Sequence, residues 1–241
     1  MTINRTLGVL GGMGPLASAH FMLRLTILTP AERDQDHIPT VLWSDPRVPH
    51  RTRGKLGNGD DPLPCLLRGL RGLRQAGAEA IAIPCNTAHG WYAEMQAEAA
   101  CPILHIVEAA AADLRRQDIK PGHIGIMATA ATLAMRLYQD RLEAQGWACI
   151  TPDADQMARL ITPAIALVKA NRIAEAYEPL AEAARSLARE GTGAIVLGCT
   201  EIPLGMQAGP SETLGVPLID TIDALARTAI KWATESGHGR A

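Results

Sequence analysis

Aromatic side chains are scarce in this sequence, at 3% of residues with a single Phe. A core of stacked rings is therefore excluded, and small aliphatic side chains must fill it, a composition that suits helices lying flat on a parallel sheet. Neither charge is in excess: the formal net charge is −2 and the seven histidines are scattered. With no basic stripe, nucleic acid is not an expected partner, and with no acidic tail there is no solvating segment. No stretch approaches the roughly 20 apolar residues of a membrane helix, so no membrane partner is expected either. The opening "MTINRTLGVLGG" has only a brief apolar run that enters a glycine turn, unlike a leader peptide, and a cytoplasmic location is expected. There is no C-x-x-C pair among the five cysteines, Cys65, Cys85, Cys101, Cys149 and Cys199. An odd number in a reducing compartment reads as free thiols, each to be judged by its surroundings.

What is present is an ordinary globular chain of 241 residues, 47% apolar and 20% charged, enough for one large domain or two small ones. A small molecule is the default partner. Short Val/Ile-rich runs alternate with longer stretches of helical period. The expected strands are "TLGVLGG", "PTVLWS", "AIAIPC", "PILHI", "HIGIMAT", "WACITP", "AIVLGCT" and "VPLID". Helices are expected over 63–77 and 172–191, each closing on a glycine. This alternation predicts an α/β fold with parallel sheets covered on both faces.

The chain also repeats itself. "LGVLGGMG" resembles "IGIMATAA" from 124, and "AEAIAIPCNTAH" resembles "TGAIVLGCTEIP" from 192. Gly8 to Gly125 is an offset of 117, and Cys85 to Cys199 is an offset of 114. Two landmarks in nearly one register predict two pseudosymmetric α/β halves, 1–117 and 118–221, with a crossover near "RRQDIKPG" and a C-terminal helix at about 222–241 packing back on the first half.

In open parallel sheets ligands bind beyond the carboxyl ends of the strands. Cys85 and Cys199 each sit at such an end, followed by Asn86-Thr87 and Thr200-Glu201. Facing halves would aim both thiols into one cleft from opposite sides. That suits inversion of a stereocentre bearing an acidic hydrogen, which needs a base on one face and an acid on the other. A reference thiol pKa of about 8.5 leaves both protonation states accessible. Cys85 alone reads more naturally as packing at a buried strand end; its counterpart in the second half changes that. Cys65, Cys101 and Cys149 stay structural. Cys85 and His89 have a C-x-x-x-H spacing, but no second cluster completes a metal site, and no histidine and asparagine context marks a cysteine protease. "GVLGGMGPLAS" reads G-x-x-G-G-x-G rather than the dinucleotide pattern G-x-G-x-x-G. Its glycines could let backbone N–H groups approach an anion such as a carboxylate, or serve only a tight turn.

"LGGMGP", "PCNTAH" and "LGCTEIPL", in this order and spacing, resemble the aspartate/glutamate racemase family, from Leu7 to about Ile222. The resemblance implies a two-domain pseudosymmetric α/β fold, a two-base proton transfer on an acidic amino acid without PLP or metal, and a homodimer. It implies acid/base roles for Cys85 and Cys199, and substrate contacts for Met13, Gly14, Asn86, Thr87, Thr200 and Glu201. It also implies that Arg51 of "VPHRT" and Lys169 of "ALVKAN" hold the substrate. Arginine offers a bidentate fork to a carboxylate, and Lys169 is one of only four lysines. Leu225 stands where the family often has His, and His50 where some members have Asp, which bears on substrate identity. Hydantoin racemases and maleate isomerases are related alternatives; arylmalonate decarboxylases lack the first-half cysteine. A non-catalytic small-molecule sensor using the same cleft is the alternative from another class.

Overall fold

The structure is a computed structural model describing residues 3, 5–210 and 214–235. Among the described residues eight strands form two sheets: β1 (Leu7–Gly11), β2 (Thr40–Ser44), β3 (Ala80–Ala82) and β4 (Ile103–Leu104) in one, β5 (His123–Ala128), β6 (Ala148–Ile150), β7 (Ala194–Gly198) and β8 (Leu218–Asp220) in the other. The orders are β2-β1-β3-β4 and β6-β5-β7-β8, and every pairing is parallel. All eight expected strands are present, and the second sheet repeats the first.

The helices are α1 (Pro15–Leu28), α2 (Arg51–Lys55), α3 (Leu63–Gln75), α4 (Tyr92–Ala99), α5 (Ile106–Arg116), α6 (Ala130–Ala134), α7 (Gln139–Glu143), α8 (Ala154–Gln156), α9 (Thr162–Lys169), α10 (Tyr177–Arg189), α11 (Glu201–Met206) and α12 (Thr221–Thr234). The two expected helices appear as α3 and α10, with Gly77 and Gly191 at positive φ just beyond them. The first sheet's connections end with α5 at Arg116, and β5 opens the second sheet at His123.

Gly8 and Gly125, which mark the repeat, lie in the central strands β1 and β5 under helices α3 and α10. A Cβ at Gly8 would stand 2.8 Å from both Ala78 Cβ and Ile81 Cδ1; at Gly125 it would stand 3.0 Å from Ile195 Cγ1 and 3.2 Å from Leu187 Cδ1. At Gly8 a side chain would force the Ala78 turn or Ile81 of β3 to shift, and at Gly125 Leu187 of α10 and Ile195 of β7 would have to give by a few tenths of an ångström.

The core has three parts. One joins both sheets through α1, α5 and α12, where Ala109, Ala110, Ala111, Ala224, Ala226 and Ala229 permit close approach. The other two lie on the outer faces, under α3 and α4 and under α9, α10 and α11. The scarcity of aromatic residues is thus met by buried alanine-lined helix faces. α12 packs on α1 and α5, with Arg24 of α1 donating from Nε and Nη2 to Asp223 at 2.5 and 2.7 Å. It ends at Thr234 rather than running on; 236–241 lie outside the described residues. No described helix is long and apolar enough to cross a membrane.

Candidate active site

β3 and β7 occupy the same place in their sheets, and each runs into a cysteine at its carboxyl end. Past β3 the chain stays buried through Ile83 and Pro84; the Cys85 N–H closes onto Ile83 O at 2.7 Å and a helical turn begins at Thr87. Past β7, Cys199 precedes α11. Both thiols are buried, with 5% and 4% of their residue surface exposed. They line one small cavity of about 20 Å³, together with Met13, Arg51, Asn86, Thr87, Lys169, Thr200 and Glu201. A second chamber of about 370 Å³ opens beside it, with Gly14 in its wall. His50, Arg51, Lys169 and Glu201 border both spaces. The two cysteines and the eight residues expected to hold the substrate therefore line one or other of these adjoining spaces, whereas Leu225 is buried in the core between the sheets.

Cys199 faces a carboxylate. Its Sγ–H donates to Glu201 Oε2 at 3.1 Å, and the Thr200 hydroxyl donates to the same oxygen at 3.4 Å. Glu201 Oε1 is buried and accepts no hydrogen bond among the described residues; Lys169 Nζ lies 4.0 Å from it. Burial, then the neighbouring Glu201 charge, push the Cys199 thiol well above its ordinary pKa, with Lys169 pulling the other way. Cys199 thus carries its proton at rest, and Glu201, read from sequence as a substrate contact, is here the thiol's partner.

Arg51, the first residue of α2, is held by backbone. Nη1 donates to Val48 O and Pro49 O, both at 3.0 Å, and Nη2 to Met13 O at 3.1 Å. Its Nε is buried without a partner among the described residues. The Nε edge of a guanidinium is one of the forks that take a carboxylate, so this cation is pre-oriented with that donor left over.

Asn86, expected to contact substrate, lines the cavity and has its amide engaged by the second half. Tyr138 Oη–H donates to Asn86 Oδ1, and Asn86 Nδ2 donates to Thr221 Oγ1 at 3.2 Å, which donates onward to Leu197 O at 2.9 Å. The Thr87 hydroxyl joins a ring with Thr129 and Thr132, at 2.9, 3.0 and 3.0 Å. Sequence reasoning missed Thr129, Thr132, Tyr138 and Thr221. The repeat itself held the signal for Thr129, since aligning Gly8 with Gly125 sets it opposite Gly12.

The glycine loop serves the backbone first. At Gly12, φ is +88° and a Cβ would stand 2.4 Å from Asp45 O. Its N–H donates to Ser18 Oγ at 2.8 Å, which donates back to Gly14 O at 2.9 Å. The tight-turn reading therefore holds for Gly12, whose N–H is not free to meet an anion.

His89 lies under the Cys85 loop. The Ile106 N–H, at the start of α5, donates to Nε2 at 3.2 Å, so the ring proton sits on Nδ1, which donates to Cys85 O at 2.9 Å. Burial lowers this histidine to about 4. A neutral, doubly bonded ring holds the cysteine loop and is not a proton carrier.

The Asp/Glu/Hydantoin racemase family matches residues 10–229. The broad specificity amino-acid racemase RacX of Bacillus subtilis is 26% identical over 235 residues, 93% of this chain and 96% of that protein. The structure of an aspartate racemase from Picrophilus torridus is similar at a TM-score of 0.83 and 31% identity, covering 95% of this chain and 94% of that one. The glutamate racemase of Francisella tularensis, solved with D-glutamate, shares the fold at a TM-score of 0.69 and 19% identity, covering 96% and 82%.

Proposed function

The chain belongs to the Asp/Glu/hydantoin racemase family, and from that membership we propose that it inverts the α-carbon of an acidic amino acid by passing protons between Cys85 and Cys199. The observation that carries this reading is the pair of buried thiols at equivalent strand ends of two repeats, lining one cavity. Residues 1–117 and 118–221 are then the two halves that close on substrate.

With its proton on the Glu201 side, Cys199 is the acid at rest, and Cys85 is the base for the enantiomer whose α-hydrogen faces it. Cys85 removes that proton, Cys199 delivers its own to the opposite face, and the next turnover in the same direction requires the pair to reset. Run backwards, the roles exchange. Arg51 takes a carboxylate, and the hydroxyls of Thr87 and Thr200 meet charge developing on the carboxylate side of the enolate. Preorganised donors of this kind supply most of the stabilisation in a site closed to water; proton transfer by the thiols adds typically about 10²–10⁴-fold. The 31% identical aspartate racemase supports an acidic substrate, and Arg51 and Lys169 are the cations for two carboxylates.

The test is α-hydrogen exchange in deuterated water with both enantiomers of aspartate and glutamate. Wild type should exchange and racemise, whereas Cys85→Ser and Cys199→Ser should each lose inversion. Full racemisation by either variant would end the two-base reading.

A further inference from the structure

Among the described residues, only His50, Arg51, Lys169 and Glu201 border both the small cavity between the thiols and the larger chamber. They form the throat between the two. A substrate with its α-carbon between Cys85 and Cys199 directs its side chain through this throat, so its residues read the side chain. Arg51 and Lys169 are held by neighbours on their throat side, and the donor Arg51 has left over among the described residues, its buried Nε, is kept for the α-carboxylate. Arg51 gives three donors to the carbonyls of Val48, Pro49 and Met13, and Lys169 is set against Glu201. His50 is different. Its Nδ1 accepts the Arg53 N–H at 3.4 Å as the cap of α2, which puts the ring proton on Nε2, a donor with no partner among the described residues.

We infer, building on the racemase reading, that His50 is the specificity-determining residue of this site, the donor that hydrogen-bonds the side-chain carboxylate of a dicarboxylic amino acid in the throat. The groups around it are the cations of Lys169, Arg51 and Arg53, with the Glu201 carboxylate and the two thiols deeper in. Partial burial and, after it, those three cations lower its pKa in the empty site, so near neutrality the ring is uncharged. An incoming carboxylate reverses that balance: as the dicarboxylate binds, the ring takes one proton from solvent at Nδ1 and gives up the long cap bond from the Arg53 N–H, which turns to solvent. A neutral side chain brings no such charge, takes up no proton, and passes on into the chamber wall of Leu16, Val48 and Val168. Recognition of the acidic side chain is therefore strongest at low pH and fades as pH rises through the pKa of the bound histidine.

His50→Asn tests this, because asparagine keeps the capping acceptor and abolishes the titration. Succinate is titrated calorimetrically at about pH 7 in two buffers of different ionisation enthalpy, which counts protons taken up. In parallel, the ratio of kcat/KM for L-aspartate over L-methionine is followed by α-hydrogen exchange across pH. Wild type should take up a proton with succinate, and its ratio should fall as pH rises. In H50N the uptake should vanish, the ratio should lose its slope, and at the acid end it should be about tenfold lower, the difference between a charge-assisted and a neutral hydrogen bond. No proton uptake in wild type, or unchanged uptake and ratio in H50N, overturns the inference while exchange by wild type leaves the racemase reading standing. His50-dependent proton uptake in a protein that exchanges no amino acid would do the reverse.

Discussion

Cys199 and Glu201 set a thiol proton against a carboxylate inside a small buried pocket, and that contact, with burial, keeps the Cys199 thiol protonated. Replacing Glu201 with Gln removes the like charge that, after burial, holds the Cys199 thiol up, while Lys169 stays nearby to favour the thiolate. Site-resolved alkylation against pH should then show the Cys199 midpoint moving down; an unmoved midpoint would mean that Glu201 does not control this proton. The cysteines themselves were legible in sequence because a repeat turned two ambiguous thiols into a pair. Glu201 was visible only as a polar neighbour, and the bonds of Asn86 to Tyr138 and Thr221 were not legible, because those partners lie 52 and 135 residues away. Pairings at that distance leave no mark on local sequence.

At the scale of elements, strands were the most legible part, since each is a short aliphatic run ended by a turn. β3 is shorter than its apolar run because Pro84 has no N–H to donate to a ladder. The stretch 157–161, a π-helical turn between α8 and α9, was not expected; Pro163, which cannot complete an α-helical bond to the turn before it, stands just after it. His89 acts between elements, tying the Cys85 loop to the first turn of α5, and this has a pH consequence. Folded, it titrates at about 4; unfolded, it returns to 6.5. Above about 6.5 both states are neutral and the stability is full. As pH falls from there towards 4, the unfolded chain takes the proton first, and about 3 kcal/mol is lost. Buried His105 is lowered too and pushes the same way. Denaturation midpoints at falling pH should follow this slope, and His89→Gln, which can still bond both ways but does not titrate, should flatten it. An equal slope in the variant would place the acid sensitivity elsewhere.

Across the whole molecule, the two sheets are registered by a polar seam as well as by the shared alanine-rich core. Tyr138 of the second half bonds Asn86 beside Cys85, Asn86 bonds Thr221, and Thr221 bonds Leu197 two residues before Cys199. The cavity of about 20 Å³ between the thiols holds about one water, so an amino acid enters only when the halves or α2 move. Lys55 of α2 rests 4.4 Å from the Trp91 ring centroid, which ties that helix to the Cys85 side. A seam of buried hydrogen bonds between Cys85 and Cys199 is placed to set the two thiols against each other after such a movement. Tyr138→Phe removes one hydroxyl and leaves Asn86 Oδ1 buried without its donor, at a cost of about 1–3 kcal/mol in stability. A merely structural residue would do no more than that. If the seam registers the thiols, the loosened enzyme should let Cys85 return its proton to the same face before Cys199 can deliver to the other. Exchange with retention would then rise relative to inversion, a ratio read from deuterium uptake and optical rotation in one sample. A lowered melting temperature with an unchanged ratio would assign Tyr138 to folding alone.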